Sequence, residues 1–167
     1  VSPEFEGAGK LVFRTGGKCR KDVAGLNLAG LLVGSEGTLA VITEATLRLI
    51  PAPRVRRLLV APFGSLEAAA QGMLAVSRSA VTPSALEIVE QSAIRASAEH
   101  LGRHVPGQDA AAILLIECDG QEAGTVERDA AALGEVLLGA GAQDVLLADS
   151  PAREKELWAV RKAIGEA

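Results

Sequence analysis

The sequence predicts an α+β fold built on an antiparallel sheet. Residues 66–74 place apolar side chains at the i, i+3, i+4 and i+7 positions of one helical face. Residues 111–118 are almost entirely apolar and are followed by Asp119 and Gly120, as is typical of a buried strand. From residue 55 onward, once one extra helix is set aside, the segments follow the order β-α-β-β-α-β. That order favours a ferredoxin-like plait, with the helices on one face of the sheet.

The first segment, residues 1–53, is rich in glycine and in short apolar runs. Residues 11–15 predict a strand, and residues 22–32 predict a helix that two internal glycines weaken. The G-S-E-G sequence of residues 34–37 predicts a tight turn, and residues 39–50 predict a long strand. Two prolines then interrupt the pattern, because proline cannot donate to a sheet ladder. We therefore place a domain boundary after residue 53.

Residues 54–167 follow a second pattern, in which strands and helices alternate. Strands are predicted at residues 55–62, 85–89, 111–118 and 144–147. Helices are predicted after a Ser65 cap, over residues 91–101, along the apolar spacing of residues 126–137, and from Pro151 to the end of the chain. Because Val1 is not an initiator residue and the last helix has no stop signal, we expect the chain to be a fragment.

Composition excludes several classes of protein. The 167 residues carry a net charge of −4 and no long basic cluster, which argues against a nucleic-acid surface. Aromatic residues make up 2% of the chain, too few for stacking platforms. The longest apolar run, residues 110–116, falls short of the roughly 18–20 residues that cross a bilayer, so we expect no transmembrane segment. Two cysteines form no disulfide framework, which favours the cytoplasm.

The most informative stretch is K-D-V-A-G-L-N-L at residues 21–28, followed by L-L-V-G-S-E-G-T-L-A-V-I-T-E-A-T-L at residues 31–47. Gly34 and Gly37 let backbone N–H groups approach a ligand without obstruction by a Cβ atom. Consecutive amides in such a turn can form an anion-binding nest. From the residues alone, an ordinary turn into a strand stays open as the alternative.

This stretch resembles the flavin-binding domain of FAD-linked oxidases of the vanillyl-alcohol-oxidase type, in the branch of the glycolate oxidase D subunit and D-lactate dehydrogenase. The resemblance implies the tail of a PCMH-type FAD-binding domain over residues 1–53 and a ferredoxin-like cap domain over residues 54–167. It implies FAD as the cofactor. The contact residues implied are Gly34, Ser35, Glu36, Gly37, Thr38, Leu39, Ala40, Val41 and Ile42.

Three positions depart from the family pattern. Leu26 and Asn27 stand where Tyr-Asp is usual, and Ala40 stands where glycine is usual. A methyl group at Ala40 is expected to crowd the cofactor or to hold φ negative, either of which would weaken binding. Glu36, in contrast, favours the catalytic D-type subunit over its smaller E-type relative.

The resemblance continues into the second segment, where A-L-E at residues 85–87, L-I-E at residues 115–117 and W-A-V-R at residues 158–161 match the cap domain. In related enzymes the arginine of this last motif binds the substrate carboxylate. A guanidinium suits that role because it is permanently charged and forked. Arg161 is therefore the candidate substrate-binding residue, with an ordinary surface arginine as the alternative.

The implied activity is the FAD-dependent oxidation of a 2-hydroxy acid of the glycolate or D-lactate type, with hydride transfer to the flavin. We expect no catalytic residue within this chain, because the family's glycine-rich loop and histidine-rich segment are absent from the 167 residues. The fragment alone is therefore expected to be inactive. The implied partners are an E-type subunit and an iron–sulfur subunit. Binding to these subunits is expected to attach the protein to the periphery of the inner membrane.

Two other functional classes stay open. One is a non-catalytic subunit, or an isolated cap domain that acts in subunit association. The other is a related flavoenzyme that makes ether lipids or oxidises other alcohols. We expect no metal site: His100 and His104 have a suitable spacing but no third ligand. Four carboxylates at strand ends are expected to form a solvated rim: Glu87, Glu90, Glu117 and Asp119.

Overall fold

The computed structural model describes residues 12–19, 21, 25–148 and 150–166. The chain divides into two compact units, Val1–Pro51 and Ala52–Ala167, and each is described by itself. In the described ranges, none of the helices combines the length and the apolar character needed to cross a bilayer.

The described residues of the first unit contain one short helix, α1 (Leu28–Leu32). Asn27 caps it, since its Oδ1 accepts a hydrogen bond of 2.9 Å from the backbone N–H of Gly30. The predicted turn follows and is confirmed by the hydrogen bond from Thr38 N to Ser35 O at 2.9 Å. The helix is shorter than the predicted 22–32, of which residues 22–24 lie outside the described residues.

The strand predicted over residues 39–50 is wrong for this structure: the described part of the first unit contains no strand. The same holds for residues 12–15, while residue 11 lies outside the described residues. A strand requires a partner that accepts and donates its backbone hydrogen bonds, and no described segment pairs with residues 39–50. Their apolar side chains are accordingly exposed, Leu49 to 90%.

The second unit holds a four-stranded antiparallel sheet, as the sequence predicts. The strands lie side by side in the order β2-β3-β1-β4, which is the arrangement of a β-α-β-β-α-β plait. In chain order the elements are β1 (Val55–Phe63), α2 (Leu66–Ser77), β2 (Ala85–Glu90), α3 (Gln91–Leu101), β3 (Ala112–Gly120), α4 (Ala123–Gly139), β4 (Leu146–Leu147) and α5 (Pro151–Ala163).

One face of the sheet packs against α2 and α4. Leu59, Leu114 and Ile116 extend from the inner strands into this layer, where they meet Leu133 and Leu137 of α4. All five side chains are buried almost completely. This is the two-layer packing that the plait predicts.

The other face is covered as well, so the expectation that helices lie on one face only is wrong. Leu58 and Leu115 pack there against Ile94 of α3 and against Leu157 and Val160 of α5. The inner strands therefore bury both of their faces, and this explains their continuous apolar runs. This third layer consists of α3 and α5. The element order predicted from the sequence sets α3 aside as an extra helix and so leaves one of the two out of the predicted plait.

Capping residues are present at ends of α2, α3 and α5. Ser65 accepts a hydrogen bond from Ala68 N at 3.0 Å, as its predicted role at the start of α2 requires. Gly102 ends α3 with a left-handed φ of 62°. Ser150 caps α5 ahead of Pro151, but the helix ends at Ala163 rather than running to the end of the chain.

Candidate functional site

Arg161 lies in the last turn of α5, on the side that faces the sheet edge formed by β2. Its Nε donates to Oε2 of Glu87, a residue in the middle of β2. The side chain of Arg161 is 45% exposed and that of Glu87 is 36% exposed. The sequence-predicted arginine is therefore held by a carboxylate on the same domain.

Glu117 of β3 forms a second contact between the sheet and α5. Its Oε2 accepts a hydrogen bond from Nε1 of Trp158 at 3.2 Å. Its Oε1 accepts another from Oγ of Ser84, at 3.1 Å, just before β2 begins. Trp158 and Arg161 are three residues apart, so both contacts fall on one face of the helix within about one turn.

The expectation that all four carboxylates form a solvated rim is correct for Glu90 and Asp119, which are exposed, but wrong for Glu87 and Glu117. These two are half-buried and face α5. Side chains alternate between the faces of a strand, so Glu87 shares a face with buried Val89. That alternation was a usable signal in the sequence. A carboxylate two residues from a core residue of the same strand lies on the same face, and therefore points toward the layer that covers that face.

Burial raises the pKa of two groups whose charges interact with that of Glu117. It raises the pKa of Glu154 in the first turn of α5, although the positive charge of Arg57 opposes the shift. Burial also raises the pKa of the Cys118 thiol to about 11, with the negative charges of Asp129, Asp119 and Glu117 adding to the effect. Cys118 faces the α2/α4 layer, so it is a core thiol rather than a site residue.

The surface around Arg161 is open. Two shallow clefts in the described residues, of about 320 and 240 Å³, lie elsewhere. The first is at the end of α3 and includes Arg95 and His104, and the second is at the turn after β3 and includes Asp119 and Glu122. The described residues of the second unit therefore leave Arg161 at an open surface.

The turn at residues 34–37 of the first unit has an open backbone. Gly34, Glu36 and Gly37 have φ angles of 85°, 50° and 79°, which turn successive peptide groups in different directions. A Cβ atom added at Gly34 or Gly37 would meet nothing within 4 Å, so the turn leaves open space beside its backbone. An anionic group could approach these amides closely.

Glu36 is the only non-glycine residue with a positive φ in the described part of the chain. Ala40 therefore does not require the left-handed conformation that glycine would permit. Asn27, which stands where the family pattern has aspartate, provides the same kind of capping oxygen for α1. Two of the departures from the family pattern are thus compatible with the local backbone.

Among the described residues, no group of three or more His, Cys, Asp or Glu side chains is arranged to hold a metal ion. His100 at the end of α3 faces Glu166, with 3.5 Å between Nε2 and Oε2.

The comparisons with known proteins assign the second unit to a family. Residues 52–167 match the family model described as FAD linked oxidases, C-terminal domain. A D-lactate dehydrogenase of Anaerostipes hadrus is 37% identical over 161 residues, which are 93% of this chain and 34% of the relative. The glycolate oxidase subunit GlcD of Escherichia coli K12 is 40% identical over 141 residues, 84% of this chain and 28% of that protein. The chain thus spans about a third of the curated relatives it matches.

A solved alkyldihydroxyacetonephosphate synthase superposes with a TM-score of 0.53 over 84% of this chain and 28% of its own. At 18% identity this likeness concerns the fold alone. The family match covers the whole second unit. The chain belongs to the FAD-linked oxidases, whose C-terminal domain is formed here by residues 52–167.

Proposed function

We propose that this chain is part of an FAD-dependent oxidoreductase that oxidises a small 2-hydroxy acid of the glycolate or D-lactate type. The observation that carries the proposal is family membership combined with identities of 37% and 40% to a D-lactate dehydrogenase and a glycolate oxidase subunit. Both names describe oxidation of a hydroxyl group next to a carboxylate.

In this proposal residues 1–53 are the end of the FAD-binding domain and residues 54–167 are most of the cap domain. The backbone of residues 34–42 holds the nucleotide part of FAD, through the turn at Gly34, Glu36 and Gly37. When bound, FAD supplies the two-electron oxidation. The protein contributes the binding and orientation of cofactor and substrate.

Arg161 binds the substrate carboxylate in this proposal. Its guanidinium presents pairs of parallel N–H donors that match the two oxygens of a carboxylate. The contact with Glu87 uses Nε, and the two terminal amino groups donate no hydrogen bond to any described residue. We assign no catalytic base to this chain and expect the 167 residues alone to be inactive.

The relatives named as subunits support an assembly with further chains. An E-type subunit and an iron–sulfur subunit are the partners we propose. A cytoplasmic location, with attachment to the inner membrane through those partners, is part of the same proposal.

The test is a visible absorption spectrum of the protein expressed from its complete reading frame. We expect a flavin spectrum that is bleached by glycolate or D-lactate in the absence of oxygen. The matched control is 1,2-propanediol, which keeps the secondary alcohol of lactate but replaces the carboxylate, and it should leave the spectrum unchanged. A colourless protein that takes up no FAD would contradict the proposal and favour a non-catalytic subunit. Bleaching by the diol would favour a different alcohol substrate.

A further inference from the structure

We infer that Glu87 is a positioning residue for Arg161: it holds the guanidinium so that the terminal amino groups face an incoming carboxylate. The inference rests on the proposed role of Arg161 in substrate binding. It gives Glu87 the role of orienting Arg161, whereas the sequence pattern predicts that Glu87 is part of a solvated rim.

The geometry of the contact is the first argument. Oε2 of Glu87 accepts from Nε, which is one end of the rigid, planar guanidinium. Fixing Nε leaves the edge formed by Nη1 and Nη2 intact. That edge can still donate two parallel hydrogen bonds to a single carboxylate. Glu87 therefore orients the guanidinium without occupying its two terminal amino groups.

The second argument is that the support is well fixed. Glu87 lies in the middle of β2, opposite Leu115 of the inner strand β3. On α5, Trp158 lies about one turn before Arg161 and is held by Glu117 of β3 at 3.2 Å. Two carboxylates on adjacent strands thus hold two residues of the same helical turn. This arrangement limits the movement of the arginine relative to the sheet.

A competing model predicts the opposite effect on affinity. If Glu87 occupied the place of the substrate carboxylate, its removal would free the arginine and tighten substrate binding. In our model its removal lets the side chain of Arg161 rotate, and the entropy lost on binding then increases. The sign of the change in KM therefore separates the two models.

The experiment uses the complete FAD-loaded enzyme and its Glu87→Ala and Glu87→Gln variants. It measures kcat and KM for the 2-hydroxy acid, and Ki for oxalate, which carries a carboxylate but has no C2 hydrogen. We expect Glu87→Ala to raise KM and Ki by roughly tenfold with little change in kcat. Glu87→Gln keeps an oxygen that accepts from Nε, so its increase should be smaller, about threefold. An unchanged or lowered KM and Ki in Glu87→Ala would overturn the inference.

Two controls separate the possible causes. Glu127→Ala removes a surface ion pair with Arg57, of 3.1 Å, on the opposite side of the sheet, and should leave KM and Ki unchanged. Arg161→Met tests the proposed function itself: if it leaves KM unchanged, the role of Arg161 fails. If Arg161→Met raises KM but neither Glu87 variant does, only the inference about Glu87 fails. Where Glu87→Ala does not fold, Glu87→Gln and its Ki for oxalate decide.

Discussion

Trp158 donates a hydrogen bond from Nε1 to Oε2 of Glu117 over 3.2 Å, and this contact links the last helix to an inner strand of the sheet. The second oxygen of the same carboxylate accepts from Ser84 at 3.1 Å. One half-buried carboxylate thus connects β3 with α5 and with the start of β2. Its two donors make it a structural element of the sheet end rather than part of a solvated rim.

Replacing Trp158 with phenylalanine should destabilise the C-terminal domain. The change keeps most of the aromatic volume but removes the Nε1–H donor, so Glu117 loses one of its partners in a half-buried position. We expect a loss of about 1 kcal/mol in the free energy of unfolding. Denaturant titration followed by circular dichroism measures it.

A double-mutant cycle with Glu117→Ala, which removes the accepting oxygens, isolates the contact from other effects of the tryptophan. If the hydrogen bond is responsible, the double variant loses less stability than the sum of the two single losses. Losses that simply add would show that the indole acts by packing alone.

The ion pairs of Glu156 should make part of the domain's stability depend on acid pH. Its carboxylate lies 2.6 Å from Nη1 of both Arg153 and Arg103, and so connects α5 with the residue after the C-cap of α3. The hydrogen bond from Arg153 is the largest cause that lowers the pKa of Glu156 below 4.5. Because the folded state favours the charged form, this contribution is present above about pH 4.5 and is lost as the pH falls below it.

The Glu156→Gln variant checks that sign. It should be less stable than the parent at pH 7, and the difference should shrink as the pH is lowered from 4.5 toward 3. Salt should also reduce the difference at pH 7, because the pairs are partly exposed. A difference independent of pH would mean that the ion pairs do not contribute.

Two glycines within helices should respond to alanine in opposite directions. In α2, a Cβ atom at Gly72 would lie 2.6 Å from Cζ of Phe63 and 3.3 Å from Cδ1 of Leu114, both in the core. Gly72→Ala should therefore cost roughly 1–3 kcal/mol through overpacking. In α4, a Cβ atom at Gly134 would find ordinary contacts, the nearest at 3.8 Å.

Gly134→Ala is therefore the matched control, with an expected gain of about 0.5–1 kcal/mol from helix propensity alone. Thermal unfolding of the two variants side by side measures the contrast. A Gly72→Ala variant as stable as the parent would show that Phe63 can move aside at no cost.

Much of the fold of the C-terminal domain could be predicted because its signals are local. Apolar spacing predicted α2 and α4, Ser65 marked the start of α2, and the element order predicted the antiparallel sheet. The third layer was missed because α3 was treated as an insertion. The run at residues 111–118 already pointed to a strand covered on both faces.

The first unit shows the limit of such signals. Residues 39–50 have the composition of a strand, but a strand also requires a partner, and pairing depends on segments distant in the chain. At the candidate site, the alternation of side chains along β2 could have predicted that Glu87 faces the helices. Nothing local indicated that its partner would be Arg161, 74 residues later.

The two cysteines should differ sharply in reactivity. Cys19 is exposed, whereas Cys118 is 3% exposed and packs in the α2/α4 layer. At pH 8, iodoacetamide should label one thiol per native chain and two per chain in denaturant, as read by mass spectrometry. A Cys19→Ser variant should remain unlabelled until it is unfolded. Rapid labelling of that native variant would show that the core opens near β3.

The buried thiol should also weaken the fold at alkaline pH. Burial raises the pKa of Cys118 from 9.0 to about 11, so between these values the unfolded chain releases a proton that the folded chain keeps. The stability it contributes is complete below about pH 9 and is lost as the pH rises through 11. A Cys118→Ala variant lacks this group. Its unfolding free energy should fall less between pH 9 and 11 than that of the parent, by up to about 2 kcal/mol. Equal falls would mean that the thiol ionises as readily in the folded chain as in the unfolded one.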